Sequence, residues 1–404
     1  MVKPTQLPTQ ASVQLHTEAP LLTVFVTGGT GFLGSHIIYR LLHSQDPDSR
    51  YRVRAAARDV DKLRNIFPDE AASGNLQIVH IPNLTTSDYR PHLHGIDALI
   101  HCASPIPDDR NSIREIFEAA YNGTIHTVQQ AIEVGVKKII VTGTCATLFS
   151  SDWHEAFQPS LTLDQTCYNP ISAVDEMAMF LSASDTLAPG DNPESLRQKR
   201  MYAYQAAKTL ADKKIWELAH AHKDTGVDVT MLLPPDIYGP YIPNYPYPAS
   251  LASRTGLGTN NHLYYLLTGG PNGPNTFPPI PIGHAIDVRD AAKAHIRALS
   301  VDPILDKTVE EIRDKRLIIC GSRFTWKQAS EIIRNKRPEL SSRLPIESEG
   351  EGHQPLPQTC VHVDVSLAKE VLGIGRVGEW EYIPFEETVI EAIDVCVEFE
   401  KRIS

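Results

Sequence analysis

Leu21-Leu22-Thr23-Val24-Phe25-Val26-Thr27 is a short apolar run, and Gly28-Gly29-Thr30-Gly31-Phe32-Leu33-Gly34 follows it directly. Its β-branched and aromatic residues favour an extended strand. The next apolar positions, Ile37, Ile38, Leu41 and Leu42, recur at helical spacing. The segment therefore predicts a strand, a glycine turn and a helix. Glycines at 28, 31 and 34 let the main chain fold sharply and approach a diphosphate, whose charge the free N–H groups and positive dipole of the helix start stabilise. Thr30, Phe32 and Leu33 share this loop and first turn. A glycine trio alone is equally consistent with a plain turn, but its place between strand and helix is the context of a dinucleotide fingerprint.

The pattern repeats outward from this point. Buried-strand candidates lie at 52–57, 76–81, 98–102, 138–142 and 227–233, with helical stretches at 112–134 and 203–220. Short apolar strands alternating with helices specify a parallel sheet covered on both faces, hence a doubly wound α/β (Rossmann) fold. Residues 21–239 are expected to form this dinucleotide-binding domain, after a disordered polar tail at 1–20. Residues 240–404 should form mainly a smaller C-terminal substrate-binding lobe, with 282–300 returning to the Rossmann core. Two stretches break the rhythm: 151–200, rich in Asp, Ser and Pro, and 240–281, dense in Pro, Gly, Asn and Tyr. Both are expected to be long loops beside a binding cleft. A helix at 291–299, a strand at 316–320, a helix from Trp326 and a closing helix at 385–400 complete the expected elements.

Composition narrows the function. The chain has 404 residues, 42% of them hydrophobic, and a formal net charge of −11 without a Lys/Arg cluster, which argues against a nucleic-acid partner. No apolar run reaches membrane-spanning length, and the first twenty residues lack the apolar stretch of a secretory signal. Six scattered cysteines without a CxxC pair suggest reduced thiols and a cytoplasmic location. No metal site is expected: His92 and His94 lie in a polar turn, and His220 and His222 at a helix end lack a third ligand nearby. Cys145 reads as a small packed residue.

Where an NAD-selective site would place an acidic residue after its second strand, this chain has Arg58, with Lys62 one turn later. Their charges suit the 2′-phosphate of NADPH; the rival reading is a solvated turn in which Asp59 pairs with its neighbours. Further along, Tyr204 and Lys208 stand four residues apart and so share one helix face. A phenol with an ordinary pKa of about 10 exchanges protons poorly at neutral pH. A nearby ammonium should bring that pKa down, as general acid–base catalysis requires. Tyr202 has only Ala206 at the same spacing. Thr144, beyond the run Ile139-Ile140-Val141, is the expected hydroxyl that orients a substrate carbonyl, with Thr142 its competitor and simple capping of a strand end its alternative role.

Taken in this order, the motifs resemble the extended short-chain dehydrogenase/reductases, in particular the dihydroflavonol-reductase-like branch that includes methylglyoxal and carbonyl reductases and ketoreductases. Ile100-His101-Cys102-Ala103-Ser104-Pro105, Pro234-Pro235-Asp236-Ile237-Tyr238-Gly239-Pro240 and Ile286-Asp287-Val288-Arg289-Asp290-Ala291-Ala292-Lys293-Ala294-His295 add to the similarity, which runs from about Thr23 to near the C-terminus. The resemblance implies a catalytic set of Thr144, Tyr204 and Lys208. It also implies Gly28, Thr30, Gly31, Phe32, Leu33 and Gly34 at the diphosphate, Arg58 and Lys62 at the 2′-phosphate, and Ala103, Pro234 and Ile237 along the cofactor. The activity it implies is NADPH-dependent reduction of a ketone or aldehyde of a small or medium-sized molecule, of the kind met in specialised metabolism.

Three departures accompany it. Threonine stands at 144 where serine is usual, Asn83-Leu84 replaces an Asp-Leu pair on the adenine side, and Asn122 does not match the family's relay asparagine. The interval between Thr144 and Tyr204 is longer than the branch needs, and residues 151–200 are expected to cap the substrate cleft. An epimerase or dehydratase that retains its cofactor is the rival enzyme reading, although Cys145-Ala146-Thr147-Leu148 supplies no carboxylate pair after Thr144. A dinucleotide sensor without turnover is the non-enzymatic one, and such a protein would be free to lose Tyr204 or Lys208.

Overall fold

β1 (Leu22–Thr27), β2 (Tyr51–Ala57), β3 (Leu76–His80), β4 (Ala98–His101), β5 (Lys138–Thr142), β7 (Asp228–Leu233) and β12 (Lys315–Ile318) form one parallel sheet in the order β12-β7-β5-β4-β1-β2-β3. This is the doubly wound Rossmann arrangement, and strand order reverses at the β1/β4 boundary, where such sheets open a crevice at their carboxyl ends. The computed structural model describes residues 21–44, 51–107, 111–150, 155, 158–171, 193–269, 276–278, 283–306, 311–345, 360–375 and 380–404.

Alternation along each strand supplies both faces. Val24, Val26, Val53, Ile100, Ile140 and Leu232 pack on one face against Ile37, Ile38 and Leu41 of helix Phe32–Leu42 and against Ala291 and Ala294 of helix Val288–Leu299. Phe25, Leu99, Ile139, Val141 and Met231 pack on the other, against Val128 and Ala131 of helix Ile113–Glu133 and Ile215 and Trp216 of helix Pro193–Ala221.

Residues 240–404 supply more of the main sheet than a helix alone. β12, which the sequence places beyond the core, closes its edge beside β7. Its first two side chains are buried cations: Lys315 bonds the partly buried Asp228, and Arg316 Nε donates to the buried Asp212 at 2.7 Å. Arg316 also donates to the Thr147 hydroxyl and to the carbonyls of Gln165 and Cys167, so that four of the five guanidinium N–H groups are engaged. Helix Val288–Leu299 lies on the sheet, whereas the preceding β9 (His284–Asp287) pairs with β8 (Asp236–Tyr238) and β13 (Ser322–Arg323) in a separate small sheet. A hairpin of β10 (Ile304–Asp306) and β11 (Glu311–Arg313) leads into β12.

The stretch 240–281 is not the continuous loop expected from its composition. It contains a 3₁₀ turn, Leu251–Leu257, and a helix, Asn260–Thr268, closed by left-handed Gly269 at φ +76°. Leu263, Tyr264, Leu266 and Leu267 are buried there against Phe324, Trp326, Val389 and Phe399, forming the core of the lobe. Apolar burial outweighs the flanking Pro and Gly signals.

The described parts of the 151–200 interruption include regular structure. Helix Pro193–Ala221 begins inside it, and β6 (Thr162–Leu163) pairs with β14 (His362–Val363). Residues 151–154, 156–157 and 172–192 lie outside the described residues, as do 1–20. No helix among the described residues is long and apolar enough to cross a membrane.

The motif 286–295 is a clamp. Asp287 caps helix Val288–Leu299 through the Arg289 N–H, holds the Arg289 guanidinium in a two-point pair at 2.9 Å, and accepts the Thr388 hydroxyl of the closing helix Phe385–Ile403. Asp290 accepts the Trp380 indole and the Ile383 N–H.

Removing Arg316 leaves the Asp212 carboxylate buried without its cation. Arg316→Met should lower the unfolding free energy by about 3–5 kcal/mol in urea denaturation at neutral pH. A loss below about 1 kcal/mol would contradict the structural role assigned to this pair.

Candidate active site

Close backbone approach builds the first wall of the cleft. Gly28 adopts φ +77°, and a Cβ there would lie 2.8 Å from the Ala103 nitrogen; a Cβ at Gly34 would lie 2.2 Å from the Gly28 carbonyl oxygen. No side chain fits at either position. Thr27 locks the same junction, accepting the Ala103 N–H at 3.2 Å and meeting His101 Nδ1 at 3.0 Å. Helix Phe32–Leu42 starts from Gly31 with neither a side-chain cap nor an acidic residue in its first turn, so its dipole and leading N–H groups are left for an anion.

Gly28, Thr30, Gly31, Phe32, Leu33, Gly34, Arg58, Lys62, Ala103, Thr144, Tyr204, Lys208, Pro234 and Ile237 all line one cleft of about 1560 Å³. The sequence-predicted site is thus brought together in space without exception. Arg58 is exposed just past the end of β2. Asp59, a potential partner for it, instead caps helix Val60–Ile66 by accepting the Lys62 N–H at 2.8 Å. Asn83 and Leu84 line the same cleft, with the Asn83 side-chain oxygen accepting the Thr85 N–H and hydroxyl. These features fit a dinucleotide with a phosphorylated ribose.

At the other end, helix Pro193–Ala221 carries Tyr204 and Lys208 past the end of β5. Tyr204 is half-buried, and burial pushes its phenol up to about 12; the facing Thr144 hydroxyl pulls it down and the Asp236 charge pushes it further up. The Lys208 ammonium donates to the Thr142 carbonyl at 2.7 Å. Burial brings its pKa down to about 8, opposed by Asp212 one turn further along. The phenol is therefore raised, not lowered as its spacing from Lys208 leads one to expect, because burial outweighs the lowering contributions, that of the Thr144 hydroxyl among them. Tyr204 is held as a proton donor.

Thr142 and Thr144 separate cleanly. The Thr142 hydroxyl meets His295 at 2.8 Å, whereas Thr144 faces Tyr204 while its oxygen also accepts the Ala146 N–H at 3.2 Å. Capping and facing the phenol coexist, since a hydroxyl has two lone pairs and a proton. Cys145 is buried, with its thiol toward the Leu233 carbonyl.

Sequence reasoning missed several cleft residues. Asp236, Asn261, His262 and Tyr265 line it from the lobe side, the last three on the helix hidden within 240–281. Asp212 continues the Tyr204–Lys208 face by one turn, at the same four-residue spacing. Within the interruption, Arg197, Gln198 and Arg200 line the cleft, while the described residues 158–171 do not.

The rate should report the Lys208 ammonium. It is charged below about pH 8 and neutral above, so kcat/KM should fall as pH rises through about 8. Lys208→Met should give a low, flat alkaline limb. An unchanged limb in the variant would assign it to another group.

The NAD dependent epimerase/dehydratase family model matches residues 24–255. The chain is 26% identical over 394 residues to the NADPH-dependent methylglyoxal reductase Gre2 of Saccharomyces cerevisiae, covering 95% of this chain and 100% of that protein. It is 27% identical over 380 residues to the ketoreductase sphI of Aspergillus fumigatus, covering 93% and 98%. The crystal structure of yeast Gre2 with NADPH superposes with a TM-score of 0.70 at 24% identity, over 95% of this chain and 100% of that one. With a matched region that spans more than half its length, from β1 through the lobe's first turn, the chain belongs to the NAD dependent epimerase/dehydratase family.

Proposed function

We propose that this protein is an NADPH-dependent reductase that converts the carbonyl group of a small or medium-sized ketone or aldehyde to an alcohol. The observation that carries it is the Tyr204 phenol facing the Thr144 hydroxyl in the same cleft as a diphosphate cradle and an exposed Arg58. The names of its relatives, a methylglyoxal reductase that uses NADPH and a ketoreductase, support the same reading. All six cysteines are free, in keeping with a reaction in the reducing cytoplasm.

NADPH, when bound, supplies the hydride. The N–H groups of the Phe32–Leu42 helix start would hold its diphosphate, and Arg58 with Lys62 its 2′-phosphate. Thr144 donates a hydrogen bond to the substrate carbonyl and holds it against Tyr204. Tyr204 gives its proton to the carbonyl oxygen as negative charge develops there, and the Lys208 ammonium stabilises the resulting phenolate. Lys208, fixed by the Thr142 carbonyl, needs only its remaining N–H bonds for this task.

Purified protein should oxidise NADPH in the presence of ketones and aldehydes, and Tyr204→Phe should lower kcat by at least about 100-fold while retaining NADPH affinity. Tight cofactor binding with no net oxidation would favour the epimerase reading. Arg58→Ala should raise the KM for NADPH by about 10–100-fold, as expected for loss of charged hydrogen bonds to a phosphate, and leave that for NADH nearly unchanged. Equal effects on both cofactors would remove Arg58 from the 2′-phosphate site.

A further inference from the structure

The lobe wall of the cleft presents hydrogen-bond acceptors toward the reacting end. β8 brings Asp236 to the surface just after Pro234-Pro235, and helix Asn260–Thr268 brings Asn261 and His262. The buried Tyr238 hydroxyl donates to Asp236 Oδ2 at 3.1 Å, and His262 Nδ1 lies 3.7 Å from that oxygen and 3.4 Å from the Tyr238 hydroxyl. Tyr238 thereby fixes the carboxylate and the imidazole with respect to each other. Both remain open to the cleft, at 30% and 28% exposure of the side chain.

Two amide oxygens join them. Asn261 Oδ1 and Gln205 Oε1 are buried without a hydrogen-bond partner, and both residues line the same cleft. Gln205 is the chain neighbour of Tyr204, with its Nε2 directed at the Ala146 carbonyl at 3.5 Å. A buried acceptor left unpaired is costly, and these two amides add to the polar character of the wall around Asp236. Such a wall favours O–H donors. The Asp236 carboxylate is also near enough to Tyr204 to act on its phenol, so a second carboxylate brought to the reacting end would be repelled. Arg197 and Arg200 line the cleft as well, but each already has an interaction of its own.

We propose that Asp236 and His262 form a hydroxyl-recognition subsite, which selects uncharged carbonyl substrates bearing a hydroxyl group near the carbonyl over plain aldehydes and ketones and over oxo-acids. The assignment rests on the reductase reading and names the substrate class for that same cleft. Asp236 accepts the substrate O–H, and the His262 ring bonds the same oxygen from the other side. No covalent step is added: the hydroxyl serves only to place the carbonyl against Thr144 and Tyr204.

A matched series tests it: butanone, hydroxybutanone with its hydroxyl at the α or β carbon, and acetoacetate. Each is assayed with NADPH for kcat/KM in the wild type, Asp236→Asn, Asp236→Ala and His262→Phe, with the ratio to butanone taken within each protein. The wild type should prefer a hydroxybutanone over butanone by about 10–100-fold, the scale of a hydrogen bond to a charged acceptor. Asp236→Ala and His262→Phe should each reduce that preference by about tenfold or more. Asp236→Asn should raise the acetoacetate ratio, a gain that misfolding does not produce. A hydroxyl preference that is absent in the wild type, or the same in all four proteins, overturns the subsite while leaving the reductase intact. Failure of the wild type to reduce any of the four compounds overturns the reductase reading, and the subsite with it.

Discussion

The close approach of the β1 and β4 ends is the constraint on which the site depends. Gly28 lies where any Cβ would meet Ala103, and Gly34 lies where any Cβ would meet the Gly28 carbonyl. The Thr27 hydroxyl closes the junction through the Ala103 N–H and His101. This contact lets the glycine turn and the β4 end share one crevice wall, at the point where strand order reverses. The Phe32–Leu42 helix then starts at the crevice with its dipole uncapped, and the opposite wall, from β5 and the Tyr204 helix, lies within reach.

Burial acts on the two catalytic candidates in opposite directions, and only the first effect serves reduction. It raises the Tyr204 phenol, which keeps the proton available for transfer, and lowers the Lys208 ammonium toward neutrality. Asp212 opposes the second effect, and it is itself held by Arg316 from the sheet edge and by the Trp216 indole. A chain of contacts thus runs from β12, late in the sequence, to the ammonium at the reacting end. The buried pair is held by further hydrogen bonds on both partners, which is the condition under which such a pair is tolerated in a core.

The inner strands β4, β5 and β7 were legible because they are mostly buried and read as short apolar runs, whereas β2 carries Arg52 and Arg54 and was marked by its place after the first helix. That the glycine loop, Arg58, Thr144, Tyr204 and Lys208 meet in one cleft was legible, because each is marked by a local motif or by its place at a strand end. Asp236 and His262 were not, since their meeting requires a small sheet and a helix whose apolar residues are interspersed with Asn, Tyr, Gly and Pro. Composition concealed the helix at Asn260–Thr268. The strand at β12 hid its sheet membership behind Lys315 and Arg316, whose partners Asp228 and Asp212 lie far away in sequence. The role of Lys208 was half legible: spacing gave its helix face, but only the fold shows that the Thr142 carbonyl claims one of its bonds.

The central claim is that this cleft carries out a net hydride transfer onto a carbonyl carbon, and following the hydrogen itself tests it most directly. Purified protein is given NADPH bearing deuterium at both nicotinamide C4 positions together with a ketone substrate, and the alcohol is analysed by mass spectrometry. The account predicts deuterium bound to carbon at the new carbinol centre, in step with cofactor oxidation. An unlabelled product, or a rearranged one formed without net consumption of NADPH, would contradict it.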